Sequence, residues 1–203
     1  MMNQPLADAR LQAIQAIVVG ASAGGIEAMM QIFSPLPLNY PLPIISVIHM
    51  PDNHDSHLAE VFQQWTRIKV QDAEDKAAIQ QGRLYFAPAG YHLLVEQDAT
   101  FSLSCEMPVN YSRPSIDLMM QTAAQAYGSG LLGILLTGAN LDGALGMQSI
   151  KQHGGVTIVQ APLEAKSGTM PKEAIKLQTP DLIQGLTEIK NMLLRLGDMH
   201  AVQ

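Results

Sequence analysis

Four short runs of the chain are apolar at nearly every position: Ala16–Val19 (AIVV), Ile44–Ile48 (IISVI), Leu132–Leu136 (LGILL) and Val156–Val159 (VTIV). They lack the strict polar alternation of a strand with one wet face, so they predict parallel strands covered on both sides. Between the runs, apolar residues recur at helical spacing. Gly25–Phe33 follows the first run, and Leu58–Trp65 follows the second, with Leu58, Val61, Phe62 and Trp65 as its apolar positions. Ile116–Tyr127 precedes the third run and Gly143–His153 follows it. Strands and helices alternating in this way predict a doubly wound α/β domain with helices on both faces. The stretch from Gly82 to Cys105 differs. There, β-rich pieces at Tyr91–Val95 and Thr100–Leu103 flank a Glu-Gln-Asp-Ala turn, which predicts an antiparallel hairpin in or beside the sheet. Ile183, Leu186, Ile189, Leu193 and Leu196 predict a closing helix over Leu182–Leu196.

Composition narrows the class. A chain of 203 residues, 47% hydrophobic and 15% charged, is expected to form one domain over 1–203 with a core of its own. Disorder does not fit a chain this apolar. The twelve methionines read as core filling. Cys105 is the single cysteine, so no intrachain disulfide forms and a reducing compartment is expected. The formal charge of −6, with no Lys/Arg cluster, argues against nucleic acid as a partner. No apolar stretch approaches the roughly 20 residues of a membrane span. Ala16–Ala23 ends in a pattern like a secretion-signal cleavage site, but Gln12 and Gln15 interrupt the apolar region before it, so a cytoplasmic protein is expected.

In open α/β sheets, ligands bind beyond the carboxyl ends of the strands. Gly20-Ala21-Ser22-Ala23-Gly24-Gly25 follows the first run, His49-Met50-Pro51 the second, and Thr137-Gly138-Ala139-Asn140-Leu141-Asp142-Gly143 the third. If those strands are neighbours, a hydroxyl, an imidazole and a carboxylate share one edge. Residues 20–24 fit the G-x-S-x-G elbow, which would project the Ser22 hydroxyl and leave backbone N–H groups free for an oxyanion. The alternative is a glycine-rich turn for close helix packing or for a phosphate; a Walker A loop is excluded because no Lys follows Gly25. His49 would take the Ser22 proton and return it to the leaving group, or else serve as a structural histidine. Asp142 would hold the imidazole tautomer, or else cap the helix that follows it. His49, Asp52, His54, Asp55 and His57 crowd together, yet their spacing matches no compact zinc pattern, and Asp52, Asp55 and Ser56 suit a helix start. No metal and no cofactor are therefore expected.

Taken in order, these residues resemble the catalytic domain of CheB-type protein-glutamate methylesterases over about Ala16 to Leu196. The likeness is carried by Val19–Gly25, His49-Met50-Pro51, Ala87-Pro88 and Arg113-Pro114-Ser115-Ile116-Asp117. Leu136-Thr137-Gly138, Asp142-Gly143-Ala144 and Met170–Ile175 complete it. The resemblance implies a three-layer, Rossmann-like α/β fold with a mostly parallel sheet and a Ser22–His49–Asp142 triad. It implies hydrolysis of glutamate γ-methyl esters on the cytoplasmic helices of chemoreceptors, and deamidation of glutamine at similar positions. Backbone N–H groups at the elbow (Ser22, Ala23) and at Ala139 are expected at the oxyanion, Thr137 at the substrate, and Arg113 either at the substrate or as a brace for the loop before Ser115.

The chain also departs from the family pattern. Thr137-Gly138-Ala139-Asn140 stands where Thr-Gly-Met-Gly is usual, Ala23 where Thr is common, and Thr169 where Gly usually precedes Met-Pro. About fifteen residues precede the first strand, too few for the phosphorylated receiver domain common in the family, so a catalytic domain without a receiver is expected. Two further readings stand beside the esterase: a catalytically silent module that binds receptor helices, and an esterase or amidase for another substrate.

Overall fold

The computed structural model describes residues 7–50 and 57–201. A short helix, α1 (Asp8–Gln12), leads into β1 (Ala16–Ala21), α2 (Gly25–Phe33), β2 (Ile44–Ile48), α3 (Leu58–Trp65), β3 (Lys69–Asp72) and β4 (Arg83–Phe86). The hairpin β5 (His92–Val95) and β6 (Phe101–Ser104) comes next. Then follow α4 (Ile116–Tyr127), β7 (Leu131–Leu135), α5 (Ala144–Gln152), β8 (Val156–Gln160), α6 (Thr169–Leu177), β9 (Leu182–Gln184) and α7 (Leu186–Ala201). Seven strands make one parallel sheet in the order β3-β4-β2-β1-β7-β8-β9, and β5 and β6 pair antiparallel as a separate ribbon.

The register explains the all-apolar runs. Ile17 lies beside Ile44 on one side and Leu132 on the other, and Gly20 beside Val47 and Leu135. Alternate residues of β1 face opposite layers. Ile17 and Val19 join the core under α2, α3 and α7, whereas Ala16 and Val18 join the core under α4, α5 and α6. Both faces are dry, so both must be hydrophobic. The hairpin lies beside the sheet and not within it; Val95 N–H donates to Thr122 Oγ1 of α4 at 3.1 Å.

Several elements differ from the sequence-based expectation. Leu182–Gln184 is an edge strand, and α7 begins only at Leu186; Ile183, assigned to the helix face, is 42% exposed. Leu58 and Phe62 of α3 are buried as their spacing predicts, but Val61 and Trp65 are 39% and 63% exposed. The pattern gave no sign of β3, an edge strand with no buried residue, of the four-residue interior strand β4, or of α6, where only Met170, Pro171 and Ala174 are buried. Among the described residues no helix is long and apolar enough to cross a membrane. Asp52, His54 and Asp55 of the alternative metal cluster lie outside the described residues, while His57 pairs with Glu60 at 3.4 Å.

On one side of β1 the chain lays down β2, then β3 at the edge and β4 between them, and it returns to place β7 on the other side of β1. Neighbouring loops diverge at such a reversal and leave a crevice beyond the carboxyl ends of the strands. The loops that leave β2, β1 and β7 carry His49, Ser22 and Asp142.

Candidate active site

The elbow after β1 is fixed by its neighbours. Ser22 N–H donates to the Thr137 carbonyl at 2.9 Å, and Gly25 N–H closes on the Ser22 carbonyl at 2.7 Å. Gly24 has φ +82°, a left-handed turn that a residue with a Cβ enters only with strain. Ser22 is half-buried there, at the opening of α2. Thr137 was expected at the substrate, and its side chain is engaged within the protein. It is 1% exposed, its N–H donates to Gln160 Oε1 at 2.8 Å, and its hydroxyl donates to the Ala23 carbonyl at 2.8 Å. The same hydroxyl accepts Ser167 N–H at 2.9 Å. Thr137 braces the elbow.

This bracing corrects the expectation for the oxyanion donors. Ser22 N–H is engaged by Thr137 and is not free to bind an oxyanion, whereas the N–H groups of Ala23 and Ala139 make no hydrogen bond with the described residues. Both alanines are exposed at the crevice.

His49 extends the sheet by one rung past β2, its N–H donating to the Ala21 carbonyl at 3.1 Å. The ring turns toward the loop after β7. Its Nε2 lies 2.8 Å from Asp142 Oδ2, while Nδ1 lies 3.1 Å from Asn140 Nδ2 and 3.4 Å from Ser112 Oγ. A carboxylate only accepts, so Nε2 carries the hydrogen and Nδ1 presents a lone pair. No hydrogen bond joins Ser22 to the ring in this structure.

Asp142 is fully buried. Its Oδ2 also accepts Ile116 N–H at 2.7 Å, and its Oδ1 accepts Asp117 N–H and the Ser115 hydroxyl, both at 3.0 Å. These donors are the unpaired first turn of α4, so the carboxylate caps a helix, but not the one that follows it in sequence. The helix that follows is capped in return: Asp117 Oδ1 accepts Gly143 N–H at 2.8 Å and Gly146 N–H at 2.7 Å, at the start of α5. Each carboxylate thus closes the other's helix. Burial alone would push the Asp142 carboxyl up, but the bonds from His49, Asp117 and Ile116 outweigh it and hold the group below the usual range. For Asp117 burial dominates and the Asp142 charge adds to it, against the Gly146 and Gly143 amides, so its carboxyl is pushed up to about 6.

Close approach makes this exchange possible. A Cβ on Gly20 would collide with Ile116 Cγ2, so α4 starts directly over the end of β1 only because residue 20 has no side chain. Arg113, expected either at the substrate or as a loop brace, holds the loop between β6 and α4: its Nη1 donates to the carbonyls of Cys105 at 2.9 Å and Glu106 at 3.1 Å. Asn140 and Ser112 were not foreseen as partners of His49. Asn140 was noted only as standing where a glycine is usual, and its backbone is not left-handed.

A hydroxyl at a strand-to-helix turn, an imidazole with one proton-accepting nitrogen, a buried ionised carboxylate and two open amides are the groups that acyl transfer requires. The sequence model of the CheB methylesterase family matches residues 17–193. A protein of Leptospira interrogans, provisionally named a protein-glutamate methylesterase/protein-glutamine glutaminase, is 43% identical over 189 residues, covering 93% of this chain and 98% of the relative. The protein-glutamate methylesterase/protein-glutamine glutaminase of Archaeoglobus fulgidus is 35% identical over 182 residues, 88% of this chain and 52% of that protein, so the chain spans about half its length. The crystal structure of the Thermotoga maritima CheB methylesterase catalytic domain superposes with a TM-score of 0.85 at 30% identity, covering 90% of this chain and 98% of that one. A domain-wide family match, a relative alike almost end to end and a shared fold lead to one conclusion: the chain belongs to the CheB methylesterase family.

Proposed function

We propose that this protein is a serine hydrolase that removes methyl groups from glutamate γ-methyl esters of chemoreceptor-like proteins, and deamidates glutamines at similar positions, with Ser22, His49 and Asp142 as its triad. Ser22 Oγ bonds to the ester carbonyl carbon as its proton passes to His49 Nδ1. The carbonyl π pair moves onto oxygen, where the Ala23 and Ala139 N–H groups receive it. Collapse of this intermediate breaks the bond to methoxide, which takes the proton from Nδ1 and leaves as methanol. Water then attacks the acyl-serine, giving its proton to Nδ1. Ser22 recovers that proton as the glutamate carboxylate departs. Asp142 keeps the hydrogen on Nε2 and steadies the imidazolium without itself taking a proton.

The observation that carries this reading is the 2.8 Å His49–Asp142 pair, whose carboxylate accepts three further hydrogen bonds from the start of α4. Those donors hold Asp142 ionised and orient the ring with Nδ1 as the base. A cytoplasmic setting, where receptor helices are reached, belongs to the same proposal. Receptor methylated with labelled methyl groups tests it. The protein should release labelled methanol, and Ser22→Ala should lower the rate by about 10³-fold or more. Equal release from the Ser22→Ala protein would refute the assignment of the nucleophile. Release from neither protein would favour the silent docking module.

A further inference from the structure

His49 Nδ1 has a single in-plane lone pair, and in this structure that lone pair is already engaged. The assignment rests on one backbone group. Asp142 N–H can only donate, and it faces the Asn140 side chain at 3.2 Å, so the atom it meets is Oδ1. The other terminal atom of Asn140, 3.1 Å from His49 Nδ1, is therefore the Nδ2 amide, a donor. Nε2 carries the ring hydrogen toward Asp142, so Nδ1 is the acceptor and the three bonds are mutually consistent. The Ser112 hydroxyl stands farther off at 3.4 Å. Ser22, the intended proton donor, makes no bond to the ring.

We propose that Asn140 is a positioning residue that occupies the proton-accepting lone pair of His49 in the resting protein and must release it before Ser22 can be deprotonated. The inference rests on the triad reading above. Asn140 lies two residues before the triad carboxylate and is pinned to that residue's own N–H, so the amide and the carboxylate grip opposite nitrogens of one ring. A bound glutamyl ester or glutamine brings a carbonyl oxygen to which the Asn140 amide can turn. The base is then uncovered when substrate arrives. A ring already hydrogen-bonded at Nδ1 is a weaker acceptor for Ser22, so the resting protein is slow toward substrates that fail to displace the amide.

Two variants separate this role from support of the loop. Asn140→Ser keeps an oxygen for Asp142 N–H but is too short to reach the ring, and Asn140→Gly removes both contacts. Turnover of a γ-methyl glutamyl peptide is measured for both, for the wild type and for Ser22→Ala, together with the ¹⁵N resonance of His49 Nδ1. Both variants should show kcat/KM raised about fivefold, the effect of one net hydrogen bond. The Nδ1 resonance should move toward that of an unbonded ring nitrogen. Unchanged or lowered kcat/KM in both variants overturns the proposal, whether or not the resonance moves, and leaves the hydrolase reading standing. Turnover by the wild type no faster than by Ser22→Ala, with none gained in the Asn140 variants, overturns both. Turnover gained only in the Asn140 variants supports the proposal in its strongest form.

Discussion

Asp142 engages both oxygens with backbone donors, Ile116 N–H on Oδ2 and Asp117 N–H on Oδ1. An asparagine in its place would set an amide nitrogen against one of those N–H groups in either orientation, so no flip satisfies the site. Asp142→Asn should cost about 1–3 kcal/mol of stability for the unpaired donor. It should also lower turnover by about 10⁴-fold, as the same change does in a serine protease triad, because an amide facing Nε2 no longer selects the tautomer with Nδ1 as the acceptor. Chemical unfolding and turnover of the methyl ester check the two effects separately, and a variant of wild-type stability would contradict the capping role. The shared edge that carries Ser22, His49 and Asp142 was legible in the sequence because each follows an apolar run, and strand exits in a parallel sheet lie side by side. Asp117, Ser112 and Asn140 were not read as partners of the site. Their proximity depends on how two loops fold back, which no spacing encodes. Ser115-Ile116-Asp117 carried the available signal, a helix start whose first amides needed an acceptor from somewhere.

Among the elements, the seat of α4 on β1 matters most for the site. The Gly20–Ile116 contact leaves no room for a side chain at position 20. Gly20→Val should destabilise the fold by about 1–3 kcal/mol through overpacking. It should also depress esterase activity beyond what the unfolded fraction explains, since Ile116 N–H would be moved away from Asp142. Urea unfolding alongside specific activity of the folded fraction tests this, and full activity in a destabilised variant would contradict it. The runs of β1, β2, β7 and β8 were legible because they are dry on both faces; β4, interior too but only four residues long, was not. Edge strands are not: β3 has one neighbour and β9 is three residues long, so the pressure toward apolar residues falls away. Ile183 fell at helical spacing from Leu186 by coincidence, and its 42% exposure shows that no core face selected it.

At the scale of the whole molecule, Asp181 ties together parts of the chain far apart in sequence. Its Oδ1 accepts Arg10 at 2.8 Å and Lys151 at 2.7 Å, and its Oδ2 accepts both the N–H and the hydroxyl of Thr157 at 2.9 Å. Burial would push this carboxyl up, but the bonds from Arg10, Lys151 and Thr157 overcome it and bring it down to about 2. A carboxyl lowered on folding stabilises the fold above its ordinary range near pH 4, and that contribution is lost as pH falls toward 2. Arg10 and Lys151 are partly exposed, so screening reduces the effect. Asp181→Asn should therefore cost about 1–2 kcal/mol at pH 7, and its gap to wild type should narrow between pH 4 and pH 2. A gap constant across that interval would contradict the network. The exchange of carboxylates between α4 and α5 has its own consequence for heat. The amides that finish these helices also aim the imidazole, so reactivity has no separate, softer part to fail first. On warming, esterase activity and helical ellipticity should disappear in one transition at one temperature, with no interval in which an intact fold has already stopped turning over.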